Sequence, residues 1–250
     1  SECYMRTLRF KRVKPSVGTL AICASKLQHY GRCMTATERH AQLAKQFIEL
    51  SERCHKQINA DAVGCWKEEL RAWQVILVTS KSFIDERGFF LESFKDSEFT
   101  TNGINTKFVQ DNFSHSIHGV LRGLHYQKNP KAQAKFVTAL RGKIFDVAVD
   151  IRKNSPTFGQ WVGEILSDEN HKSLYIPEGF AHGFCVLSEE ADVFYKVNNE
   201  YSPENERGII WNDSQININW PIDVPVLHNK DSGLPLLQNV DIDFIYTKDK

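Results

Sequence analysis

Acidic side chains are missing from the start of this 250-residue chain: between Cys3 and Thr37 there is no Asp or Glu, against seven Lys or Arg. A net charge is missing from the whole, with 31 basic and 31 acidic residues. Nucleic-acid-binding domains are usually basic, so this balance argues against a nucleic-acid groove as the main business. No run approaches the ~18 apolar residues of a membrane span, so no partner membrane is expected. Cysteine is sparse, six residues, too few for a disulfide scaffold. What remains is 41% apolar and 25% charged, the composition of a soluble globular protein long enough to build its own core.

The averages conceal a division. Five cysteines (Cys3, Cys23, Cys33, Cys54, Cys65) precede residue 74 and only Cys185 follows it, while residues 74–250 carry 18 basic and 24 acidic groups, a net of −6. A thiol-poor, mildly acidic body suggests a cytoplasmic enzyme without disulfides. The acid-free start is similar to an organellar transit peptide, which leaves targeting open. Composition alone rarely identifies such a segment, so residues 1–73 are read as an N-terminal extension. It is expected to be partly helical: Thr35-Ala36-Thr37-Glu38 fits a capping box, and Leu43, Phe47, Leu50 and Cys54 recur at helical spacing. Trp66, Leu70 and Trp73 suggest a second short helix. No chemistry is legible there.

After Trp73 the period changes. In Lys143 to Ile151, Phe145, Val147, Val149 and Ile151 alternate with Asp146, Ala148 and Asp150, the two-residue repeat of a strand. Strand-like runs are also expected at 75–79, 89–94, 107–110, 119–127, 135–141, 160–166, 182–187 and 193–198. Turn residues such as Asn102-Gly103, Asn129-Pro130 and Pro177-Glu178-Gly179 separate them. Many strands with little helix predict a mainly β fold over residues 74–250, an antiparallel barrel or jelly roll. Such a barrel receives a small ligand in its mouth, so polar residues on its strands are the ones to inspect.

Arg122-Gly123-Leu124-His125-Tyr126-Gln127 puts a cation and a histidine on one strand. Strand residues alternate faces, so Arg122 and His125 should point oppositely unless the strand bends, and Gly123 is the place for that bend. The run Tyr175 to Phe184 contains Pro177-x-Gly179-x-x-His182, the turn-and-strand signature of cupin barrels. His115 and His118 have the wrong spacing to share a strand face with His125. Two histidines without a third ligand make a poor zinc or iron site, so no metal and no cofactor is expected.

The segments Asp85-Glu86-Arg87-Gly88-Phe89-Phe90, Val109-Gln110-Asp111-Asn112, Gly119 to Gln127, Phe145 to Arg152, Ser155-Pro156-Thr157-Phe158-Gly159, Tyr175 to Phe184, Tyr195-Lys196 and Lys230-Asp231 follow one another in order. Over residues 75–235 this series resembles the dTDP-4-dehydrorhamnose 3,5-epimerase family of metal-free cupins. Ala134 stands where the family usually has Gly, and Phe113 where His is common.

The resemblance implies a substrate, dTDP-4-dehydro-6-deoxy-D-glucose, whose C4 ketone acidifies the C–H bonds at C3 and C5. It implies His125 as base, Asp231 as its carboxylate partner, Tyr195 as acid on the opposite sugar face, and Lys135 as the cation beside the enolate oxygen. It further implies substrate contacts from Arg87, Glu92, Gln110, Asn112, Arg122, His182, Tyr201, Glu206 and Lys230, and a homodimer. Asp146, Asp150 and Arg152 are read as structural, because polar strand residues opposite an apolar face are usually solvated or ladder-paired. The competing readings are an enzyme of the same barrel that inverts only C3 or isomerises a ketone, and a non-catalytic sugar-nucleotide-binding cupin. Tyr195 favours the double epimerase over the first. The second should lack one of His125, Tyr195 and Lys135, and all three are present.

Overall fold

The computed structural model describes residues 8–12 and 74–247. The helices expected in 35–57 and 66–73 lie outside those residues. The chain divides into two units, residues 1–15 together with 72–250, and residues 16–71.

The first unit is mainly β, as the punctuated strand pattern predicts. Its strands are β1 (Leu8–Arg12), β2 (Ile76–Ser80), β3 (Ser82–Asp85), β4 (Gly88–Leu91), β5 (Gln110–Ile117), β6 (Leu121–Gln127) and β7 (Lys135–Arg141). They continue with β8 (Lys143–Asp150), β9 (Trp161–Ser167), β10 (Lys172–Ile176), β11 (Phe180–Val186), β12 (Glu190–Val197) and β13 (Glu206–Gly208). Two short helices, α1 (Asp96–Thr101) and α2 (Asn229–Ser232), complete the named elements. A six-stranded sheet runs β1-β2-β10-β7-β12-β5 and a five-stranded sheet runs β13-β6-β11-β8-β9, with β3 and β4 as a separate hairpin. All named strand pairs are antiparallel. Five residues from before the expected boundary at residue 74, those of β1, thus belong to the barrel's sheet.

Three apolar clusters hold this arrangement. Leu77, Val137, Ile144, Ala148, Leu174 and Phe184 pack between the two sheets. The outer face of the five-stranded sheet, through Val147 and Val149, is covered by Ile209, Ile216, Leu237, Ile242 and Phe244 from the C-terminal segment. The outer face of the six-stranded sheet carries Leu8, Ile76, Val78 and Phe136 under Phe99 of α1. Among the described residues no helix is long and apolar enough to cross a membrane.

The C-terminal cover corrects one expectation. Because it buries the Phe145/Val147/Val149 face of β8, the alternate face looks into the barrel and not into water. Asp146 and Asp150 are both fully buried, and Arg152 nearly so. Arg152 donates to Asp150 through Nε at 2.9 Å and Nη2 at 2.8 Å, and Ser155 and Thr157 donate to Oδ2 at 2.6 Å each. Asp150 and Arg152 are structural as a buried, saturated ion pair. Asp146 has a different partner, described below.

Candidate active site

The two sheets face each other across a cavity of about 480 Å³, lined by Arg122, His125, Lys135, His182, Tyr195, Lys230 and Asp231 among others. A second cavity of about 290 Å³ shares His125, Lys135 and Tyr195 with the first and adds Gln110, Asn112, Tyr201 and Glu206.

Strand register explains who faces inward. On the six-stranded sheet Tyr195 pairs with Val137 on one side and Asn112 on the other, and Lys135 lies two residues before Val137. The two-residue period puts Lys135, Asn112 and Tyr195 on one face with Val137 of the inner core. On the five-stranded sheet His182 pairs with His125, but Phe184 pairs with Arg122, so β6 gains an extra residue between them. Gly123 sits in that bulge with φ +131°, and a Cβ there would lie 2.5 Å from the Gly183 Cα and 2.9 Å from the His182 carbonyl oxygen. Only glycine fits. The bend anticipated between Arg122 and His125 is therefore present, and both side chains reach the same cavity.

His125 donates from Nε2 to Asp231 Oδ1 at 2.8 Å. A carboxylate only accepts, so Nε2 carries the hydrogen, and in the neutral ring Nδ1 is the nitrogen with the lone pair. Asp231 comes from α2, is itself buried, and also accepts from the Gly123 N–H at 3.2 Å. Burial pushes its carboxyl up, but the hydrogen bonds from His125 and Gly123 outweigh that and hold it below the usual range.

Behind this pair lies a second histidine–carboxylate contact. His182, buried, donates from Nε2 to Asp146 Oδ1 at 2.7 Å, and its Nδ1 is 3.4 Å from Lys135 Nζ. Burial holds the His182 pKa down against the pull of Asp146. Lys135 is only 8% exposed, with Nζ 3.5 Å from the His125 carbonyl oxygen. Its burial drives the ammonium down to about 8, while the Asp146 and Glu206 charges act to keep it protonated. Asp146, read from the sequence as structural, lines neither cavity and bears on them only through its bond to His182 and its charge near Lys135.

Tyr195 enters from the opposite sheet. Its phenol is pushed up chiefly by burial, and Arg122 works against that shift. The phenol is thus neutral near pH 7 and able to donate a proton. No hydrogen bond ties its hydroxyl among the described residues.

At the cavity mouth Arg122 is steadied by β5, donating to Ser116 Oγ at 3.0 and 3.1 Å and to the His115 carbonyl at 3.3 Å. A polar chain lines the second cavity. Gln110 donates to Asn112 Oδ1 at 2.8 Å and accepts from the Tyr201 N–H at 2.9 Å, and the Tyr201 hydroxyl donates to Glu206 at 2.7 Å. Lys230 pairs with the same Glu206 oxygen. Burial raises Glu206, yet the bonds from Lys230 and Tyr201 bring it below its ordinary value. Tyr201 remains 55% exposed, an aromatic surface at the entrance.

Two expected site residues are not brought in. Arg87 sits beyond the β3 hairpin strand, exposed, and pairs with Asp85. Glu92 follows β4, and neither it nor Arg87 lines the two cavities. His115 is occupied elsewhere, with Nδ1 2.7 Å from Asp192 Oδ1.

Residues 69–239 match the sequence pattern of the family described as dTDP-4-dehydrorhamnose 3,5-epimerase, and residues 1–67 match a family of unknown function. The dTDP-4-dehydrorhamnose 3,5-epimerase of Shigella flexneri is 60% identical over 158 residues, covering 63% of this chain and 87% of that protein. The crystal structure of dTDP-6-deoxy-D-glucose-3,5-epimerase from Legionella pneumophila, in complex with dTDP-4-keto-L-rhamnose, is similar with a TM-score of 0.68. Its sequence is 49% identical, with 70% of this chain and 95% of that chain covered. A 3'-monoepimerase from Streptomyces bikiniensis, in complex with dTDP-quinovose, shares the fold at a TM-score of 0.62 and 31% identity, covering 66% and 84%.

Proposed function

The chain belongs to the dTDP-4-dehydrorhamnose 3,5-epimerase family, and from that premise we propose that it inverts C3 and C5 of dTDP-4-dehydro-6-deoxy-D-glucose, giving dTDP-4-dehydro-L-rhamnose. The observation that supports this reading is that a histidine and a phenol stand on opposite walls of one cavity, with a buried lysine beside them. Inversion needs those two groups on opposite faces of the sugar.

In this reading His125 takes the proton at C3 through Nδ1, and Asp231 supports the imidazolium that forms. The electron pair left behind moves into the C4 carbonyl, making an enolate whose oxygen faces Lys135. A desolvated ammonium stabilises that charge strongly because little water competes. Tyr195 then delivers a proton from the other face. Once the imidazolium has released its proton to solvent and the phenolate has regained one from solvent, the same cycle at C5 completes the second inversion. Arg122 and Lys230 hold the diphosphate, for which a guanidinium fork is well suited. Tyr201 stacks on the nucleotide, and Gln110, Asn112, His182 and Glu206 hold the sugar.

A homodimer accounts for Arg87 and Glu92. Their hairpin exposes Phe83, Ile84, Phe89 and Phe90, an apolar patch of the kind that marks an interface. Docked against a second copy, it could carry both side chains to the partner's cavity. The thiol-poor barrel, with Cys185 free and buried, fits a reducing compartment, the cytoplasm.

The similarity to a 3'-monoepimerase keeps single inversion as the second reading, so the test resolves the two carbons. The full chain is incubated with dTDP-4-dehydro-6-deoxy-D-glucose in deuterated water and the recovered sugar is read by NMR. Deuterium and inversion are expected at both C3 and C5. His125→Asn should abolish both, because no enolate forms. Tyr195→Phe should still exchange deuterium while forming roughly 10²–10⁴-fold less inverted product, the usual worth of a general acid. Inversion at C3 alone establishes the second reading. Wild-type inversion by Tyr195→Phe, or normal exchange by His125→Asn, refutes the mechanism.

A further inference from the structure

Asp146 and Asp150 are both fully buried on β8, and their surroundings differ. Asp150 takes bonds on both oxygens, from Arg152, Ser155 and Thr157. Asp146 makes one side-chain bond, from His182 to Oδ1, and its Oδ2 has no partner among the described residues. A buried carboxylate left half-satisfied costs folding free energy, so stability does not account for it. Its use must lie in the one bond it makes.

That bond runs diagonally between neighbouring strands. On the β8–β11 ladder Asp146 is opposite Phe184 and His182 is opposite Ala148, so the two side chains stand on one face, two residues out of step. Asp146 accepts, so the His182 hydrogen is on Nε2 and the lone pair of the neutral ring is on Nδ1. Burial favours that neutral ring. Nδ1 in turn lies 3.4 Å from Lys135 Nζ. An ammonium only donates, so here His182 accepts. The other acceptor of Nζ is the His125 carbonyl oxygen at 3.5 Å. Two of the three N–H groups are thus directed at protein, and tetrahedral geometry sets the third. The Nδ1 of His125 has no partner among the described residues, whereas that of His182 is taken by an ammonium. That difference leaves one imidazole free to act as a base and makes the other a support.

We propose that Asp146 and His182 are positioning residues for Lys135: Asp146 fixes the His182 tautomer, and His182 accepts from the ammonium and so aims its remaining N–H at the C4 oxygen of the bound sugar. The identity of that oxygen rests on the epimerase reading; the arrangement of the three side chains does not. His182 then acts through Lys135, with both ring nitrogens committed to protein, and holds the sugar only by that route. The titratable and charged groups that face Lys135 are His182 on β11, Asp146 on β8, His125 on β6, Glu206 on β13 and Tyr195 on β12. Asp146 and Glu206 are the two that favour the ammonium by their charge.

Nitrogen NMR and steady-state kinetics on the full chain test it. In the ligand-free parent His182 should be neutral, with its hydrogen on Nε2, over roughly pH 6–8. A charged ring there, or one protonated at Nδ1 alone, overturns the proposal without any variant. Asp146→Asn removes one of the two anions and should move the Lys135 titration down by about one pH unit or more. Its kcat should fall about tenfold or more, because a misplaced catalytic group costs up to about 10²-fold. His182→Gln keeps a donor for Asp146 and an acceptor for Lys135, so it should retain most of kcat. His182→Leu keeps neither and should lose about 10–100-fold in kcat with KM within about twofold. If His182→Leu fails to fold, the parent spectrum and Asp146→Asn decide. Raised KM at parental kcat in the His182 variants makes His182 a direct sugar contact and overturns the proposal. So does a Lys135 titration and kcat that Asp146→Asn leaves at parental values. A parent that inverts neither carbon sinks the epimerase reading alone, since the ligand-free titrations still decide how Lys135 is held.

Discussion

Replacing Lys135 by Met should make the protein more stable and stop it working. The ammonium is nearly dry, makes no ion pair with a carboxylate among the described residues, and titrates at about 8 instead of 10.5. A gap of that size corresponds to about 3 kcal/mol against the charged form. The sign follows from proton counting. Between the two values the unfolded chain holds a proton that the folded chain has released, so stability rises with pH through that window. Below pH 8 the full penalty is present. Lys135→Met keeps the length of the side chain and removes the charge, so at pH 7 it should gain up to about 3 kcal/mol, less whatever Asp146 loses with the nearby cation. The gain should shrink steadily as pH rises toward 10.5. Urea melts of both proteins at intervals from pH 7 to 10.5 measure the difference, in which other titrating groups cancel. Turnover should be lost throughout, since the enolate oxygen would face a thioether. A variant less stable than the parent at pH 7, with a difference that does not move with pH, would refute the picture of a desolvated catalytic cation.

Asp231→Asn should lower kcat by roughly 10²–10⁴-fold, because the imidazolium loses its counter-charge and the tautomer its anchor. The same variant should lack the part of acid unfolding due to Asp231: its depressed pKa stabilises the fold above the ordinary carboxylate value and that contribution disappears as pH falls through the folded value, so an acid melt of the two proteins should differ at low pH. Arg122→Ala should weaken dTDP binding by about 1.5–3 kcal/mol, the worth of hydrogen bonds to a charged group, with thermal unfolding little changed; unaltered affinity by calorimetry would remove Arg122 from the diphosphate. Gly123→Ala should destabilise by at least about 1–3 kcal/mol, since both atoms in its way are backbone, whereas Gly233→Ala, with nothing closer than 3.8 Å, should not.

What the sequence disclosed depended on how local the determining contacts are. β7 was legible end to end from Lys135 to Arg141, because its pattern is set by the core immediately beneath it. β5 was expected at 107–110 and runs instead from Gln110 to Ile117. That strand lies at the sheet edge and leaves Phe113 and Ile117 exposed, so apolar periodicity could not reveal it. β10, five residues reading Lys-Ser-Leu-Tyr-Ile, is too short to declare a period and went unpredicted. β1 was hidden differently: five residues inside a basic stretch form a strand only because β2 offers them an edge.

The site divides along the same line. The bend at Gly123 could be argued from the sequence, because a cation and a histidine three residues apart must reconcile their faces locally. The partnership of His125 with Asp231 could not, since it joins a strand to a short helix more than a hundred residues later, and only resemblance to known enzymes supplied it. Asp146 shows why resemblance and periodicity together still fell short. Its strand reads as amphipathic, and an amphipathic strand has a wet side only if nothing covers the dry one. Here residues 209–244 bury the apolar face, turning the barrel interior into the destination of the polar one. A carboxylate in that position must find a partner or lose its charge. It finds His182, and its charge favours the ammonium of Lys135, which burial disfavours. The same covering segment thus buries the outer face of the sheet and turns inward a carboxylate that favours the protonated form of Lys135, the cation proposed to face the enolate oxygen.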